Sequence, residues 1–533
     1  MTDSNPGSSG LTPGSLTPVI PGFFPDPTIC RVGDDFYLAT SSFEYFPGAP
    51  IFHSRDLVQW EQIGNILTRR SQFVAGDRRR SGGIFGSTLR HHNGQFWFVT
   101  TNMSDFGGGH LLFHAADPAG PWSEPVPIAG TPGIDPDIAW DDEGNCYLTW
   151  LGFGPGAGGS GVVQARLDPE EGRLLESPRK LWQGSGLAHP EGPHLYRTGG
   201  WWYLMIAEGG TERGHSVSIS RSTSPTGPFE PHPDNPVFSH RSLGTPVQNV
   251  GHADLVQGPD GGWAAVHLGV RVRGSSPGYH VLGRETFLAG IDWEDGWPRF
   301  EEERFRIPAP DTSFTDDFSS AALHLRWVSP GNDPASFSRP APGSGRHLAG
   351  EGEDGAAGTV PLLATRVRDE TWVARATLRP VEGAAELVLR IDGSHWYAVQ
   401  ADGGTVRALA RIGPLQQEIA TAERRLGGSP LELEIACAEA PSAGQPGKNV
   451  GPDEVSLGFR ADGKLTVLAR LDGRYLSTEV AGGFTGRVIG VSASGGSAVL
   501  ERFEYSAVSP QARTSYPDAS GGHPEPEAGP SPV

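Results

Sequence analysis

The sequence predicts an all-β protein: a five-bladed β-propeller followed by a second β domain. Three observations carry this. Helical periodicity is scarce along the 533 residues, which instead show short aromatic and β-branched runs broken by Gly, Pro, Asn and Asp. Five times, a turn signal leads into an aromatic-rich strand, at intervals of 50 to 61 residues, the range of a four-stranded blade. Eleven of the fourteen Trp lie before residue 300, and the Pro-rich seam Arg306-Ile307-Pro308-Ala309-Pro310-Asp311 follows them.

In chain order, residues 1–17 are expected to be a flexible start, polar and rich in Gly, Ser and Pro. It has no basic n-region and no apolar core, so it is not read as a secretory signal, and the expected location is cytoplasmic. The propeller is placed at 18–306. Its repeats are GDDFYLATS (33–41), NGQFWFVTT (93–101), EGNCYLTWL (143–151), GGWWYLMIA (199–207) and DGGWAAVHL (260–268). A β-sandwich of similar length is the alternative, but it leaves the regular period unexplained. A linker is placed at 307–312 and a second domain at 313–507, where alternating strands such as TWVARATLRP (371–380) and HWYAVQA (395–401) recur. The end, 508–533, is too poor in apolar residues to fold and is expected to be a disordered tail.

Composition excludes several classes of function. With 62 acidic and 42 basic residues the net charge is −20, which argues against nucleic acid or an anionic membrane as partner. No run approaches the roughly 20 apolar residues of a membrane helix. Cys30, Cys146 and Cys437 are too scattered for a disulfide framework or a zinc site and are expected to be buried thiols. Oligomeric state has no readable signal.

The innermost strand of a propeller blade lines the central axis, so the residues just before each aromatic strand matter most. Eleven residues before Phe96, Cys146, Trp202 and Trp263 stand Phe85, Asp135, Glu191 and His252; ten before Phe36, across a shorter turn, stands Asp26. Four ionisable groups at one repeat position are not what a structural core selects, because buried carboxylates are costly unless paired or used. A single Asp-Pro is usually a turn or a strand start. Three acids at matched positions, each beside a proline, reverse that preference. Such a set suits acid/base work on a neutral polar substrate. Glycoside hydrolysis needs a protonated acid for the leaving oxygen and an ionised carboxylate to activate water, and a third carboxylate raises the pKa of the acid. Phe43, Phe46 and Phe85 are candidate faces for sugar C–H groups, each also readable as core.

The phrases PGFFPDPTIC (21–30), TSSFEYFPGAPIFHSRDLVQW (40–60), GIDPDIAWDDEGNCYL (133–148), EGPHLY (191–196), AEGGTERGHSVSISRSTSPTGPFE (207–230), GHADLV (251–256) and LGRETF (282–287) together span nearly all of 18–306. In order and spacing this part of the chain resembles glycoside hydrolase family 43, five-bladed propellers acting on xylan- and arabinan-derived sugars. The resemblance is to β-xylosidases and α-L-arabinofuranosidases with a C-terminal concanavalin-like β-sandwich. It implies single-displacement hydrolysis with inversion, with Asp26 as general base, Glu191 as general acid and Asp135 tuning and orienting the acid. In such sites base and acid stand about 6.5–9.5 Å apart. It further implies that Arg284 hydrogen-bonds sugar hydroxyls and that His252 contacts the pocket or, through water, an optional structural calcium ion on the axis. No cofactor is required for the chemistry. The bland reading of Arg284 is a salt bridge with Glu285 or a neighbour.

One segment departs from the family pattern. Phe85-Gly86-Ser87-Thr88 stands where many relatives read aromatic-Ala-Pro, which bears on substrate preference rather than mechanism. The expected substrates are xylo-oligosaccharides, cleaved from the non-reducing end, with arabinofuranosides as the alternative. A silent, carbohydrate-binding propeller is the reading of a different class, disfavoured by three intact acids. Gly154 to Gly159 matches GxGxxG, but the following VVQARLD alternates as a strand, so it is no dinucleotide site. Residues 274–278 match G-x-S-x-G without a following helix. Arg78-Arg79-Arg80 reads as a solvated loop or a lip of the pocket.

Overall fold

Each aromatic repeat forms the second strand of an antiparallel blade in the computed structural model, which describes residues 17–72, 80–153, 161–274, 277–350, 360–423, 431–439 and 452–508. The GxGxxG segment, Arg78, Arg79, Ser275, Ser276, the chain start before residue 17 and the tail after 508 lie outside them. The innermost strands are Thr28–Val32, Ile84–His92, Gly133–Trp140, Glu191–Thr198 and Val247–Gln257. Each pairs with an aromatic strand, Asp35–Ala39, Gln95–Asn102, Cys146–Gly152, Trp201–Glu208 and Trp263–Arg271 in turn, and two or more outer strands complete each blade. The five innermost strands touch in a ring that closes from blade 5 back to blade 1. Blades packed face to face cover both sides of the aromatic strands. Gln95–Asn102, for example, is buried from Phe96 onward, which is why these repeats read as near-continuous apolar runs. The predicted five-bladed propeller is therefore the fold observed.

The ring is also tied at its ends. Ile20 and Thr286 exchange backbone hydrogen bonds, and Gly22 N–H donates to the buried Glu285 carboxylate (2.8 Å), itself held by Arg271.

Beneath the pocket the axis is closed by a charged knot to which every blade contributes. Arg90 of blade 2 donates to both oxygens of Asp254 of blade 5 (2.7 and 3.1 Å) and to Asp137 of blade 3 (3.2 Å). Thr28 of blade 1 and Tyr196 of blade 4 donate their hydroxyls to Asp254 (2.8 and 2.6 Å). His194 Nδ1 lies 3.2 Å from Asp137 Oδ1. Burial opposes ionisation of Asp254, but Arg90 and these donors hold its carboxyl well below the usual range.

The second domain is a β-sandwich built on two long paired strands, Trp372–Asp392 and Val488–Ala507. Their register breaks between Pro380 and Ala384, where Gly383 (φ +73°) and Gly495 (φ +65°) let the pair bend. The N-terminal half of Trp372–Asp392 pairs with Leu431–Glu439 and the C-terminal half with His395–Ala401, so it serves both sheets. Trp327, Trp372, Phe503 and Tyr505 fill the core between them. All three cysteines are buried and free of disulfides.

Polar contacts join the domains. Arg487, fully buried, pairs with Asp453 (2.6 Å), whose other oxygen accepts from Tyr279 of the propeller (3.0 Å). His280 pairs with Glu479, and Arg80 pairs with Asp392 (2.7 Å), so this member of the arginine run is a domain contact. Among the described residues, no helix is long and apolar enough to cross a membrane.

Removing Arg90 would leave Asp254 and Asp137 as uncompensated buried charges. Arg90→Met should cost about 3–5 kcal/mol in chemical denaturation. An effect within experimental error would show that the knot does not hold the ring.

Candidate active site

Every innermost strand except the first carries a break in register at the repeat position singled out in the sequence. The breaks fall between Ile84 and Ser87, Ile134 and Asp137, Glu191 and His194, and Gly251 and Asp254. Such bulges re-aim side chains. Asp26, Asp135 and His252 have φ of +53°, +54° and +45°, and Gly192, next to Glu191, has +55°. These left-handed residues are strained for a side chain with Cβ. All five blades thus depart from regular strand geometry at one level of the axis.

The three acids are interconnected. Asp26, 4% exposed, accepts from Arg284 at 2.8 Å and 3.4 Å on its two oxygens, and His252 Nδ1 stands 3.5 Å from Asp26 Oδ1. Asp135 Oδ2 accepts from the backbone N–H of Gly192 (3.1 Å), which ties it to the residue beside Glu191. Arg284 also donates to Thr211 (3.0 Å). The plain alternative for Arg284, a surface salt bridge with Glu285 or a neighbour, does not hold: Glu285 belongs to Arg271, and Arg284 is buried against Asp26.

The same surroundings drive the carboxyls in opposite directions. Burial works against ionisation of Asp26, but Arg284 and then His252 outweigh it and hold its pKa below the ordinary value. Glu191, partly buried, is pushed up to about 8, first by burial and then by the charge of Asp135, with Arg284 opposing only in part. Asp135 is raised too, by burial, with Asp26 adding to the shift and His252 opposing it. One acid is ionised and the other holds a proton near neutral pH, the division of labour that acid/base catalysis requires.

The departure at Phe85-Gly86 now has a local reason. A Cβ on Gly86 would collide with Asp135 Oδ1 and lie 2.9 Å from His252 Cε1, so glycine is the residue that leaves these side chains their places. Phe43, 1% exposed, packs edge-on against Phe85 at 5.4 Å between centroids. Phe46 is buried in the core between blades 1 and 2.

Phe484, which sequence reasoning did not assign, completes the aromatic group. It stacks on Phe43 (5.9 Å), meets Phe85 edge-on (5.7 Å), and the Arg284 guanidinium lies 5.5 Å from its ring. It comes from the second domain, in Gly482-Gly483-Phe484-Thr485-Gly486. A Cβ on Gly483 would lie 2.5 Å from Ser81 Oγ and one on Gly486 would collide with Leu282, so these glycines allow the loop to lie against the propeller. An apolar residue framed by glycines was the available signal. Beyond Arg284 and Phe484 a cavity of about 490 Å³ opens between the Thr211–Arg213 loop and the Thr478–Phe484 segment; none of the three acids lines it.

Comparison with known proteins agrees with this architecture. Residues 15–298 match the model described as glycosyl hydrolases family 43. Residues 315–506 match the beta xylosidase C-terminal concanavalin A-like domain. The chain belongs to glycosyl hydrolase family 43. A non-reducing end alpha-L-arabinofuranosidase, BoGH43B of Bacteroides ovatus, is 38% identical over 90% of this chain and 91% of its own. A xylosidase/arabinosidase of Butyrivibrio fibrisolvens is 49% identical over 53% of this chain and 55% of its own. The crystal structure of a xylan beta-1,4-xylosidase from Bacillus halodurans superposes with a TM-score of 0.80 at 29% identity, over 92% of this chain and 99% of that one.

For a family 43 protein the resemblance raises an axial calcium. Calcium takes six to eight oxygen ligands. Around His252 the carboxylates of Asp26 and Asp135 are engaged by Arg284 and Gly192, and among the described residues no three His, Cys, Asp or Glu are grouped to hold a metal ion. The residues present do not form a direct calcium cage, and no step below uses an ion.

Gly86→Ala should displace Asp135 and His252 while leaving the fold intact. A misplacement of about 1 Å can cost roughly 10²-fold in rate. The expected loss in kcat/KM is of that order, with a melting temperature near wild type; unchanged kcat/KM would show that the pocket tolerates the added methyl.

Proposed function

We propose that the protein is an inverting exo-glycosidase that releases xylose from the non-reducing ends of β-1,4-xylo-oligosaccharides and also cleaves α-L-arabinofuranosides. One observation carries this reading: two carboxyls in one linked axial site are driven apart in pKa, Asp26 down and Glu191 up to about 8.

The chemistry follows from those states. Asp26 accepts a proton from water as the water oxygen attacks the anomeric carbon. Glu191 gives its proton to the glycosidic oxygen as the anomeric C–O bond breaks, and the alcohol leaves. Asp26 ends protonated and Glu191 ionised, and exchange with solvent restores both. Arg284 keeps Asp26 ionised and in place. Asp135 holds the Gly192 backbone and keeps Glu191 protonated through its charge. Phe85 and Phe484 offer apolar surface, backed by Phe43, and His252 fills the axis beside Asp26. Phe484, reaching in from the second domain, supports action at chain ends. An ion held through water at His252 is compatible with this scheme and has no part in it.

The Bacteroides ovatus relative, similar over nearly the full length of both chains, favours a second reading in which arabinofuranosides are the better substrates. The ratio of kcat/KM on 4-nitrophenyl β-D-xylopyranoside and α-L-arabinofuranoside decides between them.

The roles have a kinetic signature. kcat/KM should fall as pH rises through about 8, where Glu191 loses its proton, and fall again at low pH as Asp26 gains one. Asp135→Asn removes a charge that raises Glu191, so the alkaline limb should move to lower pH. Glu191→Gln should lose roughly 10²–10⁴-fold on xylobiose but far less on a nitrophenyl glycoside, whose leaving group needs no proton. Asp26→Asn should lose on both. Equal losses for Glu191→Gln on the two substrates would contradict the acid role.

A further inference from the structure

A second cavity, of about 230 Å³, lies at the seam between blade 1 and the second domain, and none of the candidate active-site residues lines it. Arg326, Arg366 and Arg368 face it together with Phe24, Trp60 and Phe314. Among the described residues none of these arginines makes an ion pair, although the chain carries 62 acidic residues. Glu61 and Asp311 also line the cavity but are exposed.

Arg366 is the unusual member. It is 4% exposed, and its Nε and one terminal nitrogen have no hydrogen-bond partner. Its guanidinium lies 4.6 and 4.5 Å from the ring centroids of Phe23 and Phe24, contacts that attract a cation but leave those N–H groups unsatisfied. Burial draws its pKa down to about 10, against the opposing influence of Tyr45 and with Arg368 adding to the fall. A buried guanidinium without a counterion is unfavourable unless something completes it. Arg368 gives its Nε to Pro21 O (3.2 Å), and Arg326, which gives its Nε to His324 Nδ1 (3.0 Å), lies over Phe314 at 3.9 Å and keeps a terminal nitrogen for a ligand.

We propose that this cavity is a binding site for a small sugar acid, whose carboxylate pairs with the arginine group and whose apolar ring face lies on Trp60. The aromatic walls select a carbon-bearing anion over an inorganic one. Trp60 has already given its indole N–H to Leu57 O (2.8 Å), so what it offers a ligand is its ring. An occupant would touch blade 1 through Trp60 and the second domain through Arg366, bridging the two. The site is independent of the catalytic reading.

The test is calorimetric titration of the full chain with sodium D-glucuronate at constant ionic strength, with xylose saturating the active site. D-glucose and inorganic phosphate serve as the neutral and inorganic probes. One glucuronate per chain is expected, with glucose and phosphate at least tenfold weaker. Arg366→Met and the more exposed Arg326→Ala should each weaken glucuronate at least tenfold. The Arg366→Met chain should melt no lower than wild type, because it loses a buried unpaired charge. No glucuronate binding, binding unchanged in Arg326→Ala, or phosphate binding as tight as glucuronate would each overturn the proposal.

Discussion

The pairing of Arg90 with Asp254 is the interaction on which the rest of the molecule turns. A propeller must close its ring around an axis where five strands converge and side chains compete for little room. Here the axis is filled by charge: Arg90 from blade 2 joins Asp137, Asp254, Thr28 and Tyr196, one from each other blade. Buried charges are tolerated only when paired and hydrogen-bonded, so the knot is satisfied only when all five blades are in register. The layer above inherits that register. Asp26, Asp135 and His252 stand two residues before Thr28, Asp137 and Asp254, and Glu191 stands three before His194. The knot sets where the acids are, and the bulges set where they point.

Within that layer the electrostatics are divided by one arginine. Arg284 pairs directly with Asp26 and acts on Glu191 only from a distance, so burial, which raises both carboxyls, is overcome at the first and outweighs Arg284 at the second. The left-handed backbone at three of the residues and the crowding at Gly86 and Gly192 show how little slack the site has. The second domain contributes through the buried Arg487–Asp453 pair, which anchors the sandwich to Tyr279, and through the glycine-framed loop that delivers Phe484.

The repeat made much of this legible. Counting back from each aromatic strand reached Asp26, Asp135, Glu191 and His252 because a propeller repeats its local structure, and local structure is what spacing encodes. The knot was written two residues further along, as Asp-x-Thr at 26–28, Asp-x-Asp at 135–137 and His-x-Asp at 252–254, and it was missed because one repeat position was read rather than the pattern around it. Arg90 broke the pattern altogether, since blade 2 supplies the cation and not another acid. Contacts between distant segments left no trace in spacing. Asp26 and Arg284 are 258 residues apart, and nothing local marks them as partners. Phe484 likewise acquires its role only when the second domain docks. The seam arginines look like ordinary polar residues until their lack of an ion pair among the described residues is seen in three dimensions.

The central claim is that Asp26 activates water for a single displacement while Glu191 protonates the leaving oxygen. Proton NMR of the first-formed sugar tests it most directly, before mutarotation erases the record. Cleavage of a β-xyloside should release α-xylose first, and cleavage of an α-L-arabinofuranoside should release the β anomer. Release of the anomer with the substrate's own configuration would require a covalent intermediate and contradict the account.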